Sequence, residues 1–268
     1  MFGTYFNSIT GKTLLVLRRT KFFCPPAPQD FIVRTRLLDK LNQGLNRPLT
    51  LIAAPAGYGK TMLASSFVQS CALPWAWLSL DERDNDLHLF LDYLLTALDS
   101  IFPGALQHTQ LMLVGTTLPP VSVIADSLAN ELAELERDFI LVLDDLHVIH
   151  AADAYRLLAA LLRYPPQGVH LMLLTRQDPP LGLGGLRARD QMIEIRSRDL
   201  RFTVTEVADF MHHAAPAPLR DDALLVDKFP LHLNKVPIIH RLFPDARFVL
   251  ALRHPMDVLL SCYITNFR

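Results

Sequence analysis

The sequence predicts an α/β fold built on a doubly wound, five-stranded parallel sheet, and three observations predict it. Short apolar runs alternate with segments of helical period, the pattern of strands joined by crossover helices. Three of the five runs end in residues suited to phosphate chemistry, and ligands of such sheets sit at the strands' carboxyl ends. The stretch Ala54-Pro55-Ala56-Gly57-Tyr58-Gly59-Lys60-Thr61 falls between an apolar run and a helical pattern, the setting of a phosphate-binding loop.

The bulk numbers bound the answer. At 268 residues the chain can bury a full α/β core, as one large domain or two small ones. Half of the residues are hydrophobic and the formal net charge is −1, which excludes a disordered chain and a globally basic nucleic-acid binder. Three cysteines, Cys24, Cys71 and Cys262, lie far apart without metal-ligand spacing, so a reduced, cytoplasmic setting is expected. No apolar run is long enough to span a membrane, and no signal peptide is expected. The pair His212-His213 reads as solvated rather than metal-binding.

Taken in order, Met1 to Thr20 shows no clear pattern and reads as an N-terminal extension, residues 1–19. Residues 20–26 predict an extended, proline-stiffened entry. Leu37, Leu38, Leu41 and Leu45 predict a helix over 33–45, ended before Pro48. Leu49 to Ala53 is the first sheet strand, and 62–71 the helix after the loop. Residues 74–80 are the second strand. Asp86 is placed to cap a helix over 87–102, whose apolar positions recur at 87, 90, 91, 94, 95, 98, 101 and 102. Pro103-Gly104 stops it. After Pro119-Pro120 a helix is expected over 121–135. Phe139 to Leu143 is a third, wholly apolar strand, as expected when both faces of a sheet are covered. A helix over 151–164, strands over 169–174 and 191–195, and an amphipathic helix over 203–212 complete the pattern.

The chemistry follows from the strand ends. In the loop, Ala56, Gly57, Tyr58, Gly59, Lys60, Thr61 and Met62 are the residues expected to wrap ATP or ADP. Glycine backbones curl N–H groups around an anion, the helix start adds its dipole, Lys60 reaches the outer phosphates and Thr61 offers a hydroxyl to Mg²⁺. The usual pattern begins with glycine, where this chain has Ala54. The third strand ends in Asp144-Asp145. Asp144 is expected to hold Mg²⁺ and Asp145 to orient or deprotonate the attacking water. Arg176, after the fourth strand, is placed to sense the outermost phosphate. Arg34 and Arg36 either line the nucleotide or mark an exposed helix start.

Residues 20–26, 54–61, 75–81 (Trp75 to Asp81), 141–147 (Leu141 to His147) and 174–180 (Leu174 to Pro180) resemble, in order, the ATPase module of large ATP-binding LuxR-type transcriptional regulators. These are signal-transduction (STAND) NTPases. The resemblance spans about 17–213 and takes in Leu186-Arg187-Ala188-Arg189 and Leu200-Arg201-Phe202-Thr203. It implies a P-loop NTPase domain over 20–213 that binds ATP or ADP with Mg²⁺, hydrolyses ATP slowly as a switch and self-associates. In that family alanine at the first loop position is ordinary. No sensor repeat array or DNA-reading helix is recognised, so direct DNA binding by this chain is not expected, nor is a membrane partner.

Beyond a linker at 214–221 the pattern changes. Residues 222–268, with Val226 to Leu231 and Leu242 to Tyr263, resemble an internal segment of bacterial sulfotransferases. Phe248 to Leu252 reads as a strand and Pro255 as the opening of a helix, a small C-terminal α/β fragment. The resemblance implies that Arg253 and Ser261 grip the 3′-phosphate of PAPS and that Lys228 lies near its sulfuryl group. That family's 5′-phosphosulfate loop and catalytic base are not recognised in this chain. The sequence therefore reads as a truncated ATPase joined to an incomplete sulfotransferase-like piece, with PAPS-dependent sulfuryl transfer and a non-catalytic scaffold as alternatives.

Overall fold

The computed structural model describes residues 5–6, 13–14, 17–26, 32–115, 117–206, 224–230, 246–254 and 257–265. Backbone contacts divide the chain into two units, Met1–Pro28 with Val33–Arg201, and Gln29–Ile32 with Phe202–Arg268. The expected helix over 203–212 lies largely outside the described residues, as do His212 and His213.

In the larger unit, β1 (Tyr5–Phe6) and β2 (Thr13–Leu14) form a short antiparallel pair. The sheet that follows contains β3 (Leu49–Ala53), β4 (Trp75–Ser79), β5 (Phe139–Asp144), β6 (Val169–Thr175) and β7 (Met192–Arg196). All pair in parallel, in the order β4-β5-β6-β3-β7. The helices are α1 (Thr35–Gly44), α2 (Lys60–Ser70), α3 (Leu87–Asp99), α4 (Gln107–Val114), α5 (Val121–Ala133), α6 (Ala152–Arg163) and α7 (Leu183–Ala188). This is the expected doubly wound α/β fold with a five-stranded parallel core.

Strand periodicity builds two cores. Leu51, Leu78, Leu141, Leu143 and Leu173 face a layer made by α3, α4, α5, α6 and α7. Their sequence neighbours Ile52, Trp77, Val142, Met172 and Leu174 face the layer of α1 and α2, with Leu37, Leu63 and Phe67. Successive side chains of a strand point to opposite faces, so a run without polar residues is what a sheet covered on both sides requires.

Two helices escaped the sequence pattern. The first turn of α4 is held from outside: the buried Glu131 carboxylate on α5 accepts from the backbone N–H groups of His108 (2.7 Å) and Thr109 (3.1 Å). Its cap is thus distant in sequence. The other, α7, begins after Gly182 in the left-handed region (φ 63°) and contains Gly184 and Gly185, poor helix formers, but Leu183 and Leu186 are buried.

The N-terminal entry is also more structured than expected. Residues Arg19–Phe22 form a 3₁₀ turn before the chain extends. Lys21, 7% exposed, sends its Nζ to both oxygens of the wholly buried Asp84 (2.7 and 2.6 Å) and lies 4.2 Å from the centre of the Tyr93 ring. Burial pushes the Asp84 carboxyl above its ordinary pKa despite the lysine. The pair therefore costs desolvation, and removing one partner strands the other. Lys21→Met is expected to lower stability by about 3–5 kcal/mol in urea unfolding. The double variant Lys21→Met with Asp84→Leu should recover much of that loss.

At the other end of the sheet, His170 is 2% exposed, with its Nδ1–H donating to the Arg47 carbonyl (2.6 Å) and Nε2 accepting from the Thr50 hydroxyl (2.9 Å). Burial lowers its pKa to about 4 from an ordinary 6.5. A depressed histidine binds its proton in the unfolded chain first. Its contribution is complete above pH 6.5 and is lost as pH falls through that value toward 4. Wild type is expected to lose roughly 3 kcal/mol relative to His170→Gln between pH 7 and pH 4, read from urea midpoints at both pH values.

The second unit is described by its strands β8 (Leu224–Pro230), β9 (Ala246–His254) and β10 (Asp257–Thr265), an antiparallel sheet in the order β8-β10-β9. The expected strand at 248–252 lies within β9. In place of a helix after Pro255, the chain runs as β10. Val258, Tyr263, Ile264 and Thr265 are β-branched or aromatic, and such residues favour a pleated strand.

Candidate functional site

The register of the sheet collects the expected chemistry at one edge. Ala53 at the end of β3 stands beside Thr175 of β6 and Arg196 of β7, and Asp144 ends β5 beside Ser79. β6, inserted between β3 and β5, places Thr175-Arg176 between the loop and the two aspartates.

The loop conformation follows from its residues. Gly57 (φ 80°) and Gly59 (φ 77°) both adopt left-handed backbone, which side chains with a Cβ avoid. A Cβ built on either would meet no atom within 4 Å, so the loop bounds open space. Ala54 is 2% exposed and donates its N–H to the Thr175 carbonyl (3.2 Å), without positive φ. This position needs no glycine, which accounts for the departure from the usual pattern. Gly59 caps α2, and Lys60 and Thr61 are its first two residues.

Lys60 is 7% exposed and its Nζ donates to the Pro55 carbonyl (3.1 Å), across its own loop. Burial lowers its pKa, opposed by Asp145 and Asp144, while Arg176 adds to the lowering. Four charged groups therefore share one small region. The Thr61 hydroxyl donates to Asp144 Oδ2 (2.9 Å), and the Asp145 N–H donates to Asp144 Oδ1 (2.8 Å). Burial first, and the charge of Asp145 second, push the Asp144 pKa up to about 6. Asp145, by contrast, is half exposed and has left-handed backbone, φ 57° and ψ 34°. Such a conformation is uncommon outside glycine and re-aims the side chain after the strand. Arg176 is exposed beyond β6.

These residues fit Mg²⁺ and a nucleotide. A hydroxyl and a carboxylate side by side are hard oxygen donors of the kind Mg²⁺ takes alongside water and phosphate. A cation would also relieve the unfavourable charge at Asp144. The open space beside two left-handed glycines at a helix start suits phosphate oxygens.

Several surrounding contacts were not legible in the sequence. Asp178, two residues after Arg176, pairs with Arg196 and with Arg187, and both arginines also pair with Glu194. This network anchors the loop behind Arg176. Asn85 accepts from the N–H groups of His150 and Ala151 and donates to the Val148 carbonyl (3.0 Å), fixing the segment after Asp145. Arg34 is not at an exposed helix start. It is buried, and its guanidinium donates to the carbonyls of Leu200 and Arg201, both at 2.9 Å. The exposed Arg36 donates to the Asp199 carbonyl (2.9 Å).

In the second unit, Lys228 pairs with Ser261 in the ladder, and Ser261 pairs with Val249. Arg253 lies four residues further along β9, roughly 13 Å at strand rise.

The chain is similar to the HTH-type transcriptional regulator MalT. The protein of Klebsiella pneumoniae subsp. pneumoniae is 34% identical over 203 residues, covering 76% of this chain and 22% of the relative. That of Serratia proteamaculans is 33% identical over 211 residues, covering 78% and 23%. The chain thus spans under a quarter of the length of these relatives. Among solved structures, a STAND protein with a tetratricopeptide repeat sensor from Pyrococcus horikoshii superposes with TM-score 0.50 at 16% identity, over 74% of this chain and 27% of that one. The fold is that of a P-loop ATPase, and the resemblance to the ATPase module of LuxR-type regulators holds. A model of the sulfotransferase family also matches, over residues 146–268. That match starts at Leu146, well upstream of 222. Among the described residues no helix is long and apolar enough to cross a membrane.

Proposed function

We propose that residues 20–213 act as a nucleotide-binding switch module of a transcriptional regulator, cytoplasmic, holding Mg²⁺-ADP or Mg²⁺-ATP and hydrolysing ATP slowly. The observation that carries this reading is the direct contact of Thr61 with Asp144 beside the glycine loop and Lys60. Residues 56–62 wrap the phosphates, Lys60 neutralises the outer two, and Thr61 and Asp144 hold the metal. Asp145 orients the attacking water and Arg176 responds to the outermost phosphate. Bound Mg²⁺ supplies charge neutralisation at the β- and γ-oxygens. The similarity to MalT supports the regulatory setting, and self-association through this module belongs to the same proposal.

A second reading is favoured by the sulfotransferase family match over 146–268. In it, residues 222–268 bind PAPS through Arg253, Ser261 and Lys228. The 5′-phosphosulfate loop and catalytic base that this reading needs are not recognised in the sequence.

Thermal unfolding of the full chain with Mg²⁺-ATP, Mg²⁺-ADP or PAPS separates the two. A ligand that binds only the native state stabilises it by about 2.7 kcal/mol at a hundred times its Kd, several degrees for a domain of this size. A rise in Tm with ADP or ATP is the expected result. A rise with PAPS alone would replace the first reading by the second.

A further inference from the structure

His147 has no role in the mechanism above, yet it is the side chain whose surroundings leave most unexplained. It sits on the single 3₁₀ turn Leu146–Val148 that follows Asp145. Its side chain is 14% exposed, and its Nδ1 is hidden from solvent without a hydrogen-bond partner. Among the described residues the other such buried polar atom is Gln191 Oε1, so an orphan at the catalytic strand end is not a general feature of this fold. The Asp145 Oδ1 atom stands 3.7 Å from it, about 0.5 Å beyond hydrogen-bond reach. The turn itself is pinned: Asn85 holds the Val148 carbonyl, and the Tyr155 hydroxyl donates to the carbonyls of Leu146 (3.3 Å) and Ile149 (2.9 Å).

A buried ring nitrogen without a partner carries a cost, unless a partner arrives in the working state. The group able to arrive is the Asp145 carboxylate, half exposed, carried on a left-handed backbone and already the nearest acid to the ring nitrogen. We infer that His147 is a positioning residue for Asp145: its Nδ1–H closes on Oδ1 when nucleotide occupies the loop, and fixes the carboxylate toward the attacking water. This rests on the nucleotide reading above. Burial first, then the charge of Arg176, keep the ring below its ordinary pKa. A neutral ring with its proton on Nδ1 donates a hydrogen bond and adds no charge of its own beside the phosphates.

The step it serves balances without the histidine changing state. The water oxygen bonds to the γ-phosphorus, and the bond from that phosphorus to the β,γ-bridging oxygen breaks. ADP leaves with the electron pair, and the water's proton passes to Asp145 and then to the phosphate released. His147 only fixes the free oxygen of that carboxylate.

The test compares wild type, His147→Leu, His147→Asn and Asp145→Asn in the full chain, by single-turnover ATP hydrolysis and by the thermal shift with Mg²⁺-ADP. His147→Leu should slow hydrolysis about 10- to 100-fold while leaving the ADP shift intact. Adding it to Asp145→Asn should cost little more, since the two act as a unit. His147→Asn should recover most of the rate, because its amide nitrogen occupies nearly the place of Nδ1. Hydrolysis at the wild-type rate in His147→Leu overturns the assignment. So does a loss that asparagine does not rescue, or one that is additive with Asp145→Asn. Wild type that binds ADP yet turns over no faster than Asp145→Asn overturns the role in hydrolysis and leaves the nucleotide site standing. Wild type that shows no ADP shift overturns the nucleotide reading itself, and His147 with it.

Discussion

Lys60→Ala is expected to weaken binding of Mg²⁺-ADP roughly 10- to 100-fold, the span of one or two lost charge-assisted hydrogen bonds. The Lys60 Nζ donates to the Pro55 carbonyl, the side chain is mostly buried, and burial disfavours its charge. Alanine therefore removes a group whose desolvation already cost energy, and the unliganded melting temperature should move little. The contrast is what makes the variant informative. A binding loss with an unchanged unliganded Tm assigns the effect to the phosphates rather than to folding. Melting curves with and without Mg²⁺-ADP, on both proteins, read the two effects together. An unchanged ADP affinity would remove Lys60 from the site.

Asp144→Asn should do the opposite to stability and the same to function. The Asp144 pKa is raised from 3.8 to about 6 by burial and by Asp145. A raised carboxyl favours the fold in its protonated form. That contribution is full below about pH 4 and is lost as pH rises through 6, so at neutral pH the buried carboxylate weighs against the fold. About 2 pKa units correspond to roughly 3 kcal/mol, an upper figure for what a neutral replacement recovers. Asparagine can keep both present contacts, accepting from the Asp145 N–H while its amide donates to the Thr61 hydroxyl, which reverses its role. The variant should thus unfold at higher urea than wild type at pH 7.5, with the difference shrinking toward pH 4. It should also lose the Mg²⁺-dependent part of nucleotide binding. This pH trend runs against that of His170, which weakens the fold over the same acid range, so the variant comparison isolates each one where the wild-type curve alone does not. Equal urea midpoints for Asp144→Asn and wild type at neutral pH would contradict the burial argument.

This opposition explains why the candidate site was legible in the sequence. A carboxylate that costs stability, at the end of a wholly apolar strand, breaks local pattern, and so does a glycine-rich stretch between strand and helix. The strands were legible for a related reason. Buried on both faces, Leu49–Ala53, Phe139–Leu143 and Leu171–Leu174 carry almost no polar residue. What the sequence did not reveal depends on distant partners. The start of α4 is capped by Glu131, and Lys21 meets Asp84 across more than sixty positions. The orphaned nitrogen of His147 is a property of its surroundings, which no spacing encodes. The helix expected after Pro255 failed for a local reason. Proline at a first helical turn is permissive but not decisive, and the β-branched and aromatic residues that follow form a strand paired on both sides.

The central claim is that the glycine loop, Lys60, Thr61 and Asp144 form one site for a nucleotide with its metal. Titration calorimetry of ADP into the full chain, with Mg²⁺ and then with EDTA, tests it most directly. Saturable binding at one site, weakened when the metal is removed and reduced at least tenfold in Lys60→Ala, is the predicted result. No heat of binding up to millimolar ADP, or binding indifferent to both metal and lysine, would contradict the account.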